Sequence, residues 1–252
     1  MLLGFSLNDL FLFPLQDREA RKHLLIGSLI YLAGFIIPIL PILVITGYHA
    51  IIVRQILNGE KPHLVKWDNW DALLKDGLRM MGIRLVFALP IFVLMFPFFI
   101  SMFALPFIAS LGKGNENIIF IFILISILVF ILITPLSLII GIIAPVSEIH
   151  MLAKDEFTAG FKVSAWWPIF KANWGGFVLA YAIVYGATMV LMFAMQFLFV
   201  TVVLICLVPF LLAGISMYYT LIMYVTFAQA YKQGLEKIYP SKGIVVNEGG
   251  TS

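Results

Sequence analysis

Five ionisable side chains stand at the margins of long apolar runs: His49, Arg54, Arg84, Glu148 and His150. Burying such groups is expensive, so their placement carries chemical information. If Arg54 or Arg84 met Glu148, the group would form a polar vestibule able to contact a solute or a lipid headgroup. The plainer alternative is a set of side chains that snorkel to water or phosphate. Glu148 and His150 lie two residues apart, and on a helix that spacing points them in different directions. A metal pair made of these two would need an irregular backbone. His23 and His63 are scattered elsewhere. The chain has no GxxxxGK[ST], HExxH or GxSxG, and no run with metal-ligand spacing. Its one cysteine, Cys206, sits in an apolar run and reads as a packing residue. No credible nucleophile–base pair is present, so the sequence predicts no enzyme, no catalytic residue, no cofactor and no metal.

The segments that carry these residues are apolar to a degree that excludes a water-soluble surface. Of 252 residues 62% are hydrophobic and 12% charged, about half the charged share of a soluble domain. The mean hydropathy is +1.06. No Asp, Glu, Lys or Arg occurs from Leu24 to Val53, Leu85 to Gly112, Asn117 to Ser147 or Ala172 to Tyr231. A helix crossing the hydrocarbon layer needs about 20 such residues. The last run is long enough for two crossings, and the second and third for one each. "VPFLLAG" at Val208–Gly214 is expected to kink the last span, and Gln196 to serve interhelical packing.

The first run is ambiguous by length, and the basic residues decide. Read as one span, it distributes the 16 Lys and Arg as 12 on one side and 4 on the other. Read as a hairpin that returns to its own side, it distributes them 15 to 1, which the preference of positive loops for the cytoplasm favours. "GFIIPILPILVITG" offers the fold-back, because Pro38 and Pro41 each remove a backbone donor. Each arm would be about 14 residues, or ~21 Å, too short to span comfortably.

Three segments precede membrane runs and mix aromatic with charged residues. In "KWDNWDALLKDGLRMMGIR" Trp67, Trp70, Leu73, Leu74, Leu78 and Met81 recur at helical spacing, with Asp68, Asp71, Lys75, Asp76 and Arg79 opposite. Trp rings favour the headgroup zone, so the segment reads as an interfacial helix. "EFTAGFKVSAWWPIFKANWGGF" repeats the arrangement, with Trp166, Trp167 and Trp174 as anchors and Pro168 in a first turn or at a break. "FPLQDREARKHLLIG" is a weaker third copy, preceded by an apolar arm ending at Pro14. Repeats of this kind build transporters and inert bundles alike.

The stretch Gly47-Tyr48, Arg54, Gly59-Glu60, Trp67-Asp68, Trp70 and Asp76-Gly77-Leu78, with "FKVSAWWPIFKANWGGFVLAY" further on, resembles a prokaryotic multi-pass membrane family catalogued as a domain of unknown function, of the DUF4013 kind. The resemblance runs over roughly residues 15 to 232 and implies fold and membrane location, with no activity to transfer. That family carries an Arg-rich helix after Gly-Tyr; here only Arg54 stands there, which weakens a phosphate-binding reading.

The expectation is an all-α polytopic transmembrane bundle: four full spans, a Pro-broken re-entrant or short N-terminal hairpin, and amphipathic interfacial helices. Residues 1–239 form one integral membrane domain, with segments near 5–22, 24–57, 67–82, 84–111, 117–148, 157–172, 174–200 and 203–232, and residues 240–252 a flexible tail. Both termini are expected on the cytoplasmic face of the cell membrane. The expected partners are the lipid bilayer and a membrane-protein partner or homo-oligomer, with no nucleic acid. A non-enzymatic lipid- or partner-binding domain is the function these features favour; a transporter or channel for a small solute or lipid is the alternative.

Overall fold

A computed structural model describes residues 7–110, 116–200 and 206–240. Among these there are helices and turns and no strand. Two short elements, α1 (Leu7–Leu12) and a 3-10 turn (Phe13–Leu15), lead to α2 (Arg18–Ala33) and α3 (Leu40–Leu57). The long helices α4 (Trp70–Ser110) and α5 (Glu116–Lys154) follow. A 3-10 turn (Phe157–Phe161), α6 (Val163–Ala172), α7 (Trp174–Val200) and α8 (Val208–Ile238) complete the chain. The "GKGNEN" turn, apart from its last two residues, and the tail after residue 240 lie outside the described residues.

The first apolar run is broken as its prolines predict. Asp17 caps α2 by accepting from the Ala20 amide at 2.7 Å. The helix ends at Ala33, a bend follows with Pro38 inside it, and Pro41 falls in the first turn of α3, where no amide donor is needed. Along α8, Gly27 of α2 approaches Met217, and Gly34 at the end of α2 shares a cavity wall with Leu212. On α3, Ile42 lies by Ala213 and His49 by Thr220. So α2 runs antiparallel to α8 and α3 parallel to it, and the two arms form a hairpin.

The arms are longer than the expected 14 residues, at 16 and 18, because α2 starts in the polar segment and α3 continues past His49. With α3, five helices among the described residues are long and apolar enough to cross a membrane. They do not reach equally far. From the level of His49, Arg84 and Glu148, α3 extends back about 14 Å to Leu40, whereas α4 extends about 39 Å to Ser110 and α5 about 48 Å to Glu116. Measured along its own axis, α3 runs less than half as far from that contact as α4 or α5.

Packing divides the molecule into a base and a set of projecting helices. The core (Ile52, Val53, Met80, Ile149, Met151, Phe177, Val225, Phe227 and their neighbours) lies wholly in the base. Beyond it α4, α5 and α7 expose Phe92, Phe103, Phe120, Phe130, Val190 and Phe193 on their outer faces. The base is tied tightest where α3 crosses α4. A Cβ on Gly47 would meet the Leu73 carbonyl oxygen at 1.8 Å, and one on Gly77 would meet that of Leu43 at 1.9 Å. Only glycine permits backbones this close.

Three sequence expectations are corrected. The segment 67–82 is not a helix separate from the next one: α4 runs from Trp70 to Ser110 without interruption, because Leu73, Met80 and Ile83 are buried in the base, with Leu73 at the α3 crossing. Pro168 sits within α6, and the break comes at Asn173 (φ −134°, ψ 34°). Pro209 starts α8 in its first turn rather than kinking it. In addition, Gln196 is exposed on α7, not packed between helices.

Candidate functional site

Four of the five residues singled out by type fall into two polar clusters, one at the junction of base and projecting helices and one further into the base. In the first, Glu148 of α5 is fully buried and receives Arg84 of α4 in a two-pronged pair, Nε to Oε1 at 3.0 Å and Nη2 to Oε2 at 3.1 Å. The Tyr224 hydroxyl of α8 donates to Glu148 Oε2 at 2.6 Å and is also bonded by Arg84 Nη2. The His49 ring of α3 stacks on Tyr224, centroids 4.9 Å apart, and its Nε2 lies 3.0 Å from Thr220 Oγ1. Thr220 Oγ1 also lies 2.8 Å from the Ser216 carbonyl oxygen. Tyr31 of α2 lies beside Thr220. The chain of contacts therefore joins α2, α3, α4, α5 and α8.

The second cluster is nearer the open end of the base. Arg54 of α3 forms a two-pronged pair with Asp76 of α4, the longer contact being Nη2 to Oδ1 at 3.0 Å. Arg79 Nη1 meets Asp155 Oδ1 at 2.8 Å and Asp76 Oδ1 at 3.5 Å, and Arg54 Nη2 lies 3.5 Å from Asp155. Two cations and two carboxylates thus close on one another. The hydrogen bond and charge of Arg79, with Arg54 and Lys75 adding, hold the Asp155 carboxyl below its ordinary range. Asp155 adopts φ 50° just past the end of α5, a conformation Asp tolerates better than most residues.

Arg84 and Glu148 are thus brought together, as the vestibule reading required, while Arg54 takes a different acid. His150 stands apart: it is buried and its Nδ1 pairs with the Tyr231 hydroxyl at 2.6 Å. Of the tryptophans, Trp70, Trp167 and Trp174 are exposed and free to meet an interface. Trp166 is buried, which corrects its assignment as an anchor, and Trp67 is half-buried. Trp166 is 1% exposed and donates Nε1–H to the Gly160 carbonyl. Trp67 stacks on Tyr48 at 3.9 Å and donates to the His23 carbonyl, a stack worth about 0.5–1.5 kcal/mol beyond area burial.

Chemically, the first cluster is self-satisfied. Both Glu148 oxygens accept charge-assisted or hydroxyl bonds, which leaves no free carboxylate aimed at a cavity. Tyr31, Thr220 and Tyr224 were missed by sequence reasoning, although Thr220, Tyr224 and Tyr231 recur along one face of α8 at helical spacing inside an apolar run. The sequence places Asp76 and Arg79 on the polar side of an interfacial helix and gives no signal for Asp155. Among the described residues no group of three His, Cys, Asp or Glu is placed to hold a metal ion.

A larger hollow than those beside the polar clusters lies elsewhere. A groove of about 610 Å³ runs between α7 and α8, with Ala182, Gly186, Ala187 and Gly214 in its wall. Phe11 of the N-terminal arm and Tyr218 also line it, and the Tyr218 hydroxyl donates to the Phe11 carbonyl at 2.7 Å. A Cβ on Gly186 would meet nothing within 4 Å, so the hollow is open space left by small residues.

A family profile described as "Protein of unknown function (DUF4013)" matches residues 30–200. No curated protein and no solved structure matches the chain.

Proposed function

We propose, for a chain that belongs to the family described as protein of unknown function (DUF4013), a function read from geometry: a multi-pass integral protein of the cell membrane that binds lipid without catalysing a reaction. The groove between α7 and α8 carries this reading. It is walled by apolar and small side chains with Tyr218 and Tyr219 as its polar members, and it adjoins the N-terminal arm that docks on α8. An acyl chain fits that chemistry, with its headgroup at the arm. The bilayer placement draws on the exposed apolar side chains of the projecting helices. The 15 to 1 division of basic residues supports a cytoplasmic base with both termini on that side.

The test is native mass spectrometry of the full chain released from its host membrane, beside Gly186→Leu and Ala187→Leu. Lipid adducts on the wild type, lost or reduced in both variants at unchanged melting temperature, support the reading. A wild-type chain that carries no lipid after mild extraction removes it.

One observation favours transport as a second reading. A cavity of about 280 Å³ lies beside the hairpin turn, lined by Tyr31, Gly34, Phe35 and Ser216, and Tyr31 belongs to the buried polar chain. Broken helix ends inside a bilayer are tolerated chiefly where protein or water surrounds them. Solute flux in proteoliposomes, lost in Glu148→Ala, would favour this reading; flux equal to empty liposomes would end it.

A further inference from the structure

The base holds two more cavities, on either side of Ala153 of α5 and Leu235 of α8, residues that line both. One, about 300 Å³, opens between α3, α5 and α8 and presents Arg54, Asn58 and Lys232. The other, about 350 Å³, opens between α5, α6 and α8 and presents His150, Lys154, Ser164 and Tyr231. Three permanent cations line the pair, and no carboxylate does. Arg54 already answers to Asp76. Among the described residues Lys154 and Lys232 have no hydrogen-bond or ion-pair partner. His150 spends Nδ1 on Tyr231, and among the described residues nothing bonds its Nε2.

Two unpaired ammonium groups beside adjoining cavities, with amide and hydroxyl donors in the walls, form a receptor for an anion with several oxygens. We propose that these adjoining cavities bind phosphate groups, Lys154 and Ser164 donating in one and Lys232 and Asn58 in the other. A carboxylate offers two oxygens on one plane; a phosphate offers three to the ammonium, amide and hydroxyl donors that line the walls. The site is not visible along any one segment, since α3 supplies a single arginine and the lysines come from the ends of α5 and α8. It lies in the base, apart from the α7–α8 groove, and does not depend on the lipid reading given above. A basic pocket between helices suits an anionic phospholipid headgroup as well as a soluble phosphate.

The experiment has two arms. In the first, the full chain in phosphatidylcholine nanodiscs is titrated with inorganic phosphate by calorimetry. In the second, the chain in nanodiscs of phosphatidylcholine with a minority of phosphatidylglycerol is assayed for retained phosphatidylglycerol by native mass spectrometry. Lys154→Gln/Lys232→Gln is compared with Lys61→Gln/Lys75→Gln, an equal loss of charge on the same base outside the cavities. The expected result is saturable binding in at least one arm, weakened about tenfold or more in the cavity variant and unchanged in the control and in Gly186→Leu. Binding in the first arm identifies a soluble phosphate, and binding in the second alone identifies a headgroup. No saturable binding in either arm overturns the proposal, and so does an equal loss in the two lysine pairs.

Discussion

Arg84 and Glu148, 64 residues apart in sequence, meet as a two-pronged ion pair whose acid is wholly enclosed. The pair fastens α4 to α5 where the base ends and the projecting helices begin, and Tyr224 brings α8 into the same contact. Charges this deep are stable only together, because each alone would bear its desolvation uncompensated. Arg84→Leu leaves Glu148 without its cation and is expected to destabilise the base by about 3 kcal/mol, the lower end of the range for a broken buried pair, since the Arg84 side chain is 40% exposed. Arg84→Leu/Glu148→Leu should recover most of that loss. Thermal melts in detergent check both; a double variant as weak as the single one would show that the pair is not the source.

The crossing of α3 and α4 makes an equally sharp prediction. Gly47→Ala and Gly77→Ala each place a methyl inside 2 Å of a carbonyl oxygen, which no rotamer can relieve. The helices must separate, and the Arg54–Asp76 pair beside them loses its register. Each variant is expected to cost several kcal/mol and to lower the yield of monodisperse protein. Gly186→Ala, where the added carbon meets open space, is the control and should melt with the wild type.

Asp155 gives a pH dependence. Its carboxyl is held below the ordinary 3.8 chiefly by the hydrogen bond of Arg79, so the folded state favours the charged form. The stabilisation is present above the unfolded-state value and is lost as pH falls through the lower folded-state value. Melting temperature should therefore fall below about pH 4 by more in the wild type than in Asp155→Asn. The difference will be small, since Asp155 is exposed and screened, and should shrink further at high salt. Parallel curves for the two proteins would remove Asp155 from the linkage.

Much of this was legible in the chain. The proline-bearing "GFIIPILPIL" announced the break between α2 and α3, and the uncharged runs located the apolar stretches of the long helices, though α4 begins at Trp70, well before its run starts at Leu85. Arg84 and Glu148 stood out because each borders an apolar run. What stayed hidden depends on which partner covers a face. The stripe Leu73, Met80, Ile83 reads the same whether it meets lipid or another helix, so α4 looked like two elements. Trp166 looked like an anchor because its buried partner, the Gly160 carbonyl, carries no side-chain signature. Tyr224 was passed over as one tyrosine among nine. Its four-residue offset from Thr220 was the usable signal.

The hairpin carries the last prediction, and it concerns sidedness. If α2 and α3 return to the side they start from, Gln16 before α2 and Lys61 after α3 face the same compartment, while Ile37 at the turn lies within the apolar zone. In a Cys206→Ser background, Gln16→Cys and Lys61→Cys should react with an impermeant maleimide from the cytoplasmic face of oriented vesicles. Ile37→Cys should react from neither face until detergent is added. The about 14 Å from His49 to Leu40 falls well short of the ~30 Å hydrocarbon layer, which is why the turn should stay shielded. Labelling of Gln16→Cys and Lys61→Cys from opposite faces would mean that a single tilted span crosses here. It would also undo the 15 to 1 charge division on which the orientation of the base rests.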